Sequence, residues 1–151
     1  MGSFAERIGP VSVVGLDSAI FIYLIDENPT FQGLSHELFS GIERGERAGV
    51  TSAITLMEII VRPLSLGKED VARKYEAFLV NFPNLTMAVI DRDVIRGAAR
   101  LRARYRIRPP DALQFSASLL YGAQAFITND RHLERLKDEL DVILLDDYLN
   151  P

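Results

Sequence analysis

Short apolar runs alternate along this chain with longer stretches in which apolar residues recur every three or four positions. The runs are Val11–Leu16, Ala48–Thr51, Leu85–Ile90, Ala125–Thr128 and Val142–Leu145. Short and nearly unbroken by polar residues, they read as strands buried on both faces of a parallel sheet. Between them Phe31, Leu34, Leu38, Phe39 and Ile42 fall on one helical face, as do Val71, Tyr75, Phe78, Leu79 and Phe82, and then Val94, Ile95, Ala98 and Leu101. Pro109-Pro110 opens a further helix through Ala112, Phe115, Leu119 and Leu120, because proline is tolerated in a first turn; Gly122 is a natural stop. Arg131–Leu140 predicts a last short helix and Asn28–Gly33 a loop. Strands alternating with helices imply right-handed βαβ units. The expected fold is therefore α/β, a three-layer α/β/α sandwich with a central parallel sheet.

The 151 residues suit one domain, with no internal repeat or linker to divide it. Residues 1–10 are expected to be a flexible N-terminal extension and residues 11–151 the domain itself. Apolar residues make up 48% of the chain, enough for a core without staples. The absence of cysteine excludes disulfides and thiolate metal sites. The first ten residues lack the apolar stretch of an export signal. No apolar run approaches the roughly 20 residues that a membrane span needs. A cytoplasmic protein without membrane contact is expected.

Four carboxylates fall where such a fold gathers functional groups, outside the carboxyl ends of its strands. Asp17 ends the first strand, and Asp130 follows the fourth through Thr128 and Asn129. Glu58 lies on the helix after the second strand, and Asp111 in the first turn opened by Pro110. Each has a purely structural alternative. Asp17 and Asp130 are placed to cap the helices that follow them. Asp111 suits the positive end of a helix dipole. Glu58 sits among Ile54, Leu56, Met57, Ile59 and Ile60, where a carboxylate needs a partner unless its face is solvated. In the latter case Ser52, Thr55 and Glu58 form one polar stripe. Converging carboxylates are hard ligands suited to Mg²⁺ or Mn²⁺, and such an ion activates water against a phosphodiester. His36 and His132, the only histidines, are expected to be structural, so no Ser–His pair is called for.

The strings Leu16-Asp17-Ser18, Ser52-Ala53-Ile54-Thr55-Leu56-Met57-Glu58, Pro110-Asp111-Ala112-Leu113 and Thr128-Asn129-Asp130 together resemble the PIN domain family over nearly the whole chain. The compact length resembles the toxin subunits of VapBC-type toxin–antitoxin pairs. The resemblance implies a sheet of order 3-2-1-4-5 and a Mg²⁺- or Mn²⁺-dependent endoribonuclease with Asp17, Glu58, Asp111 and Asp130 as its acidic quartet. Ser18, Thr55, Thr128 and Asn129 match the polar positions that support the quartet. It also implies an RNA substrate, a homodimer and an antitoxin that blocks the site. PIN domains in RNA processing, or acting as non-catalytic RNA-binding or assembly modules, are the alternative.

The net charge of −4 argues at first against nucleic acid, but the quartet alone accounts for it and the rest of the chain balances. Seven of the fourteen arginines lie between Arg92 and Arg108. Arg96, Arg100 and Arg104 recur every four residues on one helix face that Arg92 begins, and Arg108 carries the cluster to the edge of Asp111. Arg96, Arg100, Arg104 and Arg108 are the candidate RNA track, against the alternative of a solvated face. Two other enzyme classes fit poorly. An aspartyl-nucleophile phosphatase wants a second aspartate two residues beyond Asp17, where Ala19 stands. A phospho-receiver wants paired acids before the first helix.

Overall fold

The computed structural model describes residues 2–149. Met1, Asn150 and Pro151, the outermost residues of the expected extension and domain, lie outside them. Five strands form one all-parallel sheet: β1 (Val13–Leu16), β2 (Ala48–Ser52), β3 (Leu85–Ala88), β4 (Ala125–Thr128) and β5 (Asp141–Leu144). Their order is β3-β2-β1-β4-β5, as the family resemblance implied. Among the described residues α1 (Phe4–Ile8) precedes the sheet, and its strands are connected by α2 (Ser18–Ile25), α3 (Gln32–Glu43), α4 (Ala53–Ser65), α5 (Glu69–Asn81), α6 (Arg92–Tyr105) and α7 (Pro109–Leu120), with a 3₁₀ segment between β4 and β5.

The alternation of side chains along each strand divides the core into two layers. Val14, Leu16, Ala125, Ile127 and Ile143 point to one layer, against Ile20, Phe21, Leu38, Phe39 and Leu79. Phe126, with Val13 and Val142 partly buried, faces the other, against Leu101, Phe115, Leu133 and Leu136. The central strand β1 pairs Gly15 with Val50 on one side and Phe126 on the other. A β-carbon at Gly15 would collide with Ser118, so this glycine lets α7 lie directly on the strand that delivers Asp17.

Several expected boundaries shift. The flexible extension is, from Phe4 on, the helix α1: Ser3 caps it, and Phe4 and Ile8 are buried in the first core layer. Phe4 and Ile8, one turn apart, dock it, together with the Arg7–Asp141 ion pair. The predicted loop ends earlier than Gly33, with α3 starting at Gln32; the Asn28 side chain accepts from the N–H groups of Thr30 and Phe31 and turns the chain. The last helix narrows to a 3₁₀ segment, Arg131–Leu136. Strand β3 stops at Ala88, and β1 begins only at Val13, where the Gln124 side chain accepts from the N–H groups of both Ser12 and Val13. Among the described residues no helix is long and apolar enough to cross a membrane.

Candidate active site

Asp17 is set by the sheet. Its N–H donates to the Ile127 carbonyl of β4 at 3.0 Å, so its position is fixed between the two central strands. The residue is extended and caps α2, with Oδ1 accepting from the Ser18 N–H at 2.8 Å. The capping alternative is therefore true of one oxygen only. The other, Oδ2, accepts from the Thr128 hydroxyl at 2.6 Å. Asp130 repeats the pattern, Oδ1 accepting from the His132 N–H at 2.9 Å, while its own N–H donates to Thr128 Oγ1 at 3.1 Å. Thr128 thus bonds to both aspartates.

Glu58 arrives from α4, and its Oε2 accepts from the Ser18 hydroxyl at 2.6 Å. Asp111 stands in the first turn of α7, where the two prolines set the helix start, and Arg108 Nε donates to its Oδ2 at 3.2 Å. All four carboxylates line one cavity of about 290 Å³, together with Ser18, Ile22, Tyr23, Arg108 and Asn129. It opens outside the carboxyl ends of β1 and β4. Among the described residues, however, no three acidic or histidine side chains are drawn together into a ready-made ion site. The arrangement explains this: Ser18 holds Glu58, and Arg108 holds Asp111.

The electrostatics favour a cation. Burial pushes the Asp17 carboxyl up to about 6, and the charges of Asp111 and Glu58 push the same way, against the opposing bonds from Thr128 and Ser18. Beside Asp111, and in the field of Asp130 and Glu58, the Arg108 guanidinium is held even more firmly protonated. Hard oxygen donors sharing one cavity, with more negative charge than the protein compensates, fit Mg²⁺ or Mn²⁺ by donor chemistry.

The supporting polar residues divide. Ser18 and Thr128 touch the carboxylates. Asn129 donates to the Tyr23 hydroxyl at 3.1 Å and accepts from the Asp146 N–H, bracing the rim of the cavity. Thr55 does not face the carboxylates, and the alternative of a solvated Ser52–Thr55–Glu58 stripe does not hold, since Ser52 and Thr55 are buried. Ser52 donates to Gln114 Oε1, Gln114 Nε2 donates to Thr55, and Thr55 donates in turn to the Thr51 hydroxyl, whose own proton goes to the Leu16 carbonyl at 3.0 Å. This buried chain ties α7, α4 and β2 to the peptide that precedes Asp17. Gln114, Thr51 and Tyr23 escape sequence reasoning; a lone glutamine between Leu113 and Phe115 is the signal for the first.

The arginine stripe is largely consumed by neighbours. Arg96 pairs with Asp93, Arg104 with Glu139 and Arg108 with Asp111. Arg100 is exposed on the side of α6 away from its buried residues Val94, Ala98 and Leu101.

A parallel 3-2-1-4-5 sheet with carboxylates at the ends of β1 and β4 defines an α/β protein with an acidic site at its sheet edge. The chain belongs to the PIN domain family, whose model matches residues 14–139. The fold is shared with solved VapBC proteins. A DNA-bound VapBC from Salmonella typhimurium is 21% identical, with a TM-score of 0.67, covering 89% of this chain and 98% of that one. A toxin–antitoxin complex from Klebsiella pneumoniae is 18% identical, with a TM-score of 0.62 and coverages of 89% and 97%. VapC20 of Mycobacterium tuberculosis, a sarcin–ricin-loop-cleaving toxin, is 16% identical, with a TM-score of 0.60 and coverages of 76% and 87%. No curated protein matches the chain. PIN and VapC proteins as a family are nucleases, and they generally use divalent metal ions.

Proposed function

We propose that this protein is a metal-dependent endoribonuclease and the toxin of a toxin–antitoxin pair. The observation that carries this reading is the convergence of Asp17, Glu58, Asp111 and Asp130, from four separate elements or element ends, on one cavity. Mg²⁺ or Mn²⁺ held by these carboxylates would supply an activated water and offset charge on the phosphodiester. The protein's own part is positional. Thr128 and the Ser18 N–H fix both oxygens of Asp17, so its remaining lone pairs point in one set direction. Asp111 and Glu58 are held by an exposed arginine and a hydroxyl, partners that a cation of higher charge displaces at little cost. Arg108, in the cavity wall, would be free to bind a phosphate oxygen if a bound cation drew Asp111 from it.

The similar structures from Klebsiella pneumoniae and Salmonella typhimurium are a toxin–antitoxin complex and a VapBC pair, which supports an antitoxin partner. An apolar groove of about 520 Å³ borders the site, shares Ile22 and Glu58 with it, and is lined by Ile25, Ile59 and Tyr75 with Arg62 at its rim. We assign it to the antitoxin segment that blocks the site. The homodimer rests on the family likeness, and the cytoplasmic location on the absence of cysteine and of long apolar runs.

The test is cleavage of a mixed RNA pool by the purified protein with Mn²⁺, with Mg²⁺ and with EDTA, beside Asp17→Asn. Metal-dependent cleavage lost in the variant supports the proposal. An inert wild-type protein that still binds RNA establishes the non-catalytic module instead. A neighbouring reading frame for a small DNA-binding protein separates a toxin from an RNA-processing enzyme.

A further inference from the structure

Arg108, Asp111 and Asp130 are shared between the carboxylate cavity and a second one of about 350 Å³, whose other charged lining is basic. Arg106, Arg108, His132 and Arg135 line it, over the buried apolar side chains of Ile107 and Leu133. The arginines come from two distant segments: the α6–α7 connection and the 3₁₀ segment after β4. Arg108 is engaged by Asp111. Among the described residues neither Arg106 nor Arg135 forms an ion pair, in contrast to Arg96, Arg104 and Arg131. Arg135 is oriented all the same, donating to the Tyr105 carbonyl at 3.1 Å. Arg106 closes α6 in the left-handed region at φ 55°, where glycine is the usual residue. An arginine occupies the one place in this connection where glycine would fit better.

We propose that Arg106 and Arg135 form a phosphate subsite for the single-stranded RNA segment flanking the bond to be cut. The assignment rests on the ribonuclease reading of the neighbouring cavity and names where its substrate runs. A phosphodiester chain suits the arrangement because its charges repeat along the strand, and Arg106 and Arg135 lie in a cavity that adjoins the carboxylate one at Asp111 and Asp130. The planar guanidinium fork bonds two phosphate oxygens at once. The outer face of α6, with Arg92 and Arg100, is not part of this track. His132, expected to be structural, becomes a wall of the subsite.

The test measures binding of a fluorescent 2′-O-methyl RNA octamer, which resists cleavage, by anisotropy in EDTA between 20 and 200 mM KCl (roughly a decade of salt). Each lost phosphate contact lowers the slope of log affinity against log salt by about 0.7. Arg106→Gln with Arg135→Gln should lower it by about 1.4, the matching Lys pair should keep most of it, and Arg92→Gln with Arg100→Gln should leave it unchanged. Arg106→Gly separates binding from folding, since it relieves the backbone while removing the charge: melting should hold or rise while the slope falls by about 0.7. An unchanged slope in Arg106→Gly and the Gln pair overturns the subsite, as does an equal fall in the Arg92/Arg100 pair. A loss confined to binding of a hexaglutamate peptide overturns it in favour of an acidic protein segment. Cleavage that persists without the salt effect sinks the subsite alone; the salt effect without metal-dependent cleavage sinks the ribonuclease reading alone.

Discussion

The Thr128 hydroxyl donates to Asp17 Oδ2 at 2.6 Å and in the same position accepts from the Asp130 N–H at 3.1 Å. One buried side chain at the end of β4 therefore orients an acid on the neighbouring strand and the backbone of an acid on its own. Thr128→Val keeps the shape and removes both bonds. The buried carboxylate loses a donor that lowers its pKa, so Asp17 titrates higher still. The acid limb of the cleavage pH profile should move to higher pH, and stability at pH 7 should fall by about 1–3 kcal/mol. A profile that stays in place would show that Thr128 serves only the backbone of Asp130.

Asp17 also sets a pH dependence of folding. Its folded pKa is about 6, raised from 3.8. Between these values the folded state binds more protons than the unfolded state, so stability falls as pH rises through this window. Below about 3.8 the contribution is fully present; above about 6 it is lost, at a cost on the order of 3 kcal/mol. In EDTA, Asp17→Asn should therefore melt above the wild type at pH 7.5 and lose that advantage at pH 4. Equal melting at both values would remove the claim of charge crowding.

Metal should reverse that order. A ligand that binds only the native state stabilises it by mass action. The wild-type melting temperature should rise with Mn²⁺ or Mg²⁺, and the rise should vanish in Asp17→Asn. An identical rise in the variant would place the ion elsewhere.

The quartet should act as a unit. Asp17→Asn and Asp111→Asn are expected to lower kcat/KM most, by at least ~100-fold, with Glu58→Gln and Asp130→Asn somewhat milder. The Asp17→Asn, Asp111→Asn double variant should be little worse than either alone. Near-normal cleavage by both single variants would defeat the mechanism.

Arg108 competes with metal for Asp111. Arg108→Ala should lower the Mn²⁺ concentration needed for half-maximal stabilisation, by up to about fivefold, the scale of an exposed ion pair. A higher requirement would mean that the arginine assists metal binding.

Much of this was legible along the chain because it is local. The five strands, the helices α3, α5, α6 and α7, the places of Asp17, Asp111 and Asp130 at element ends and that of Glu58 within the helix after β2 follow from apolar spacing, prolines and capping residues within a few positions of each other. Asp17 and Asp130 do cap, as their spacing alone suggested. Thr55 was misplaced for a local reason: helix spacing puts it one turn from Glu58, but its hydroxyl turns inward to Gln114, 59 positions away.

What the sequence determined by itself is the set of short-range torsional and burial preferences that make elements and choose their inner faces. What only the tertiary structure decided is which ends meet. Thr128 and Asp17 are 111 positions apart. Ser18 and Glu58 are 40 apart, and Arg135 and the Tyr105 carbonyl 30. Such pairs depend on strand order and on how closely α7 can lie against Gly15. Both are settled by packing of the whole core and by satisfying its buried polar groups, and neither leaves a periodic mark in the chain.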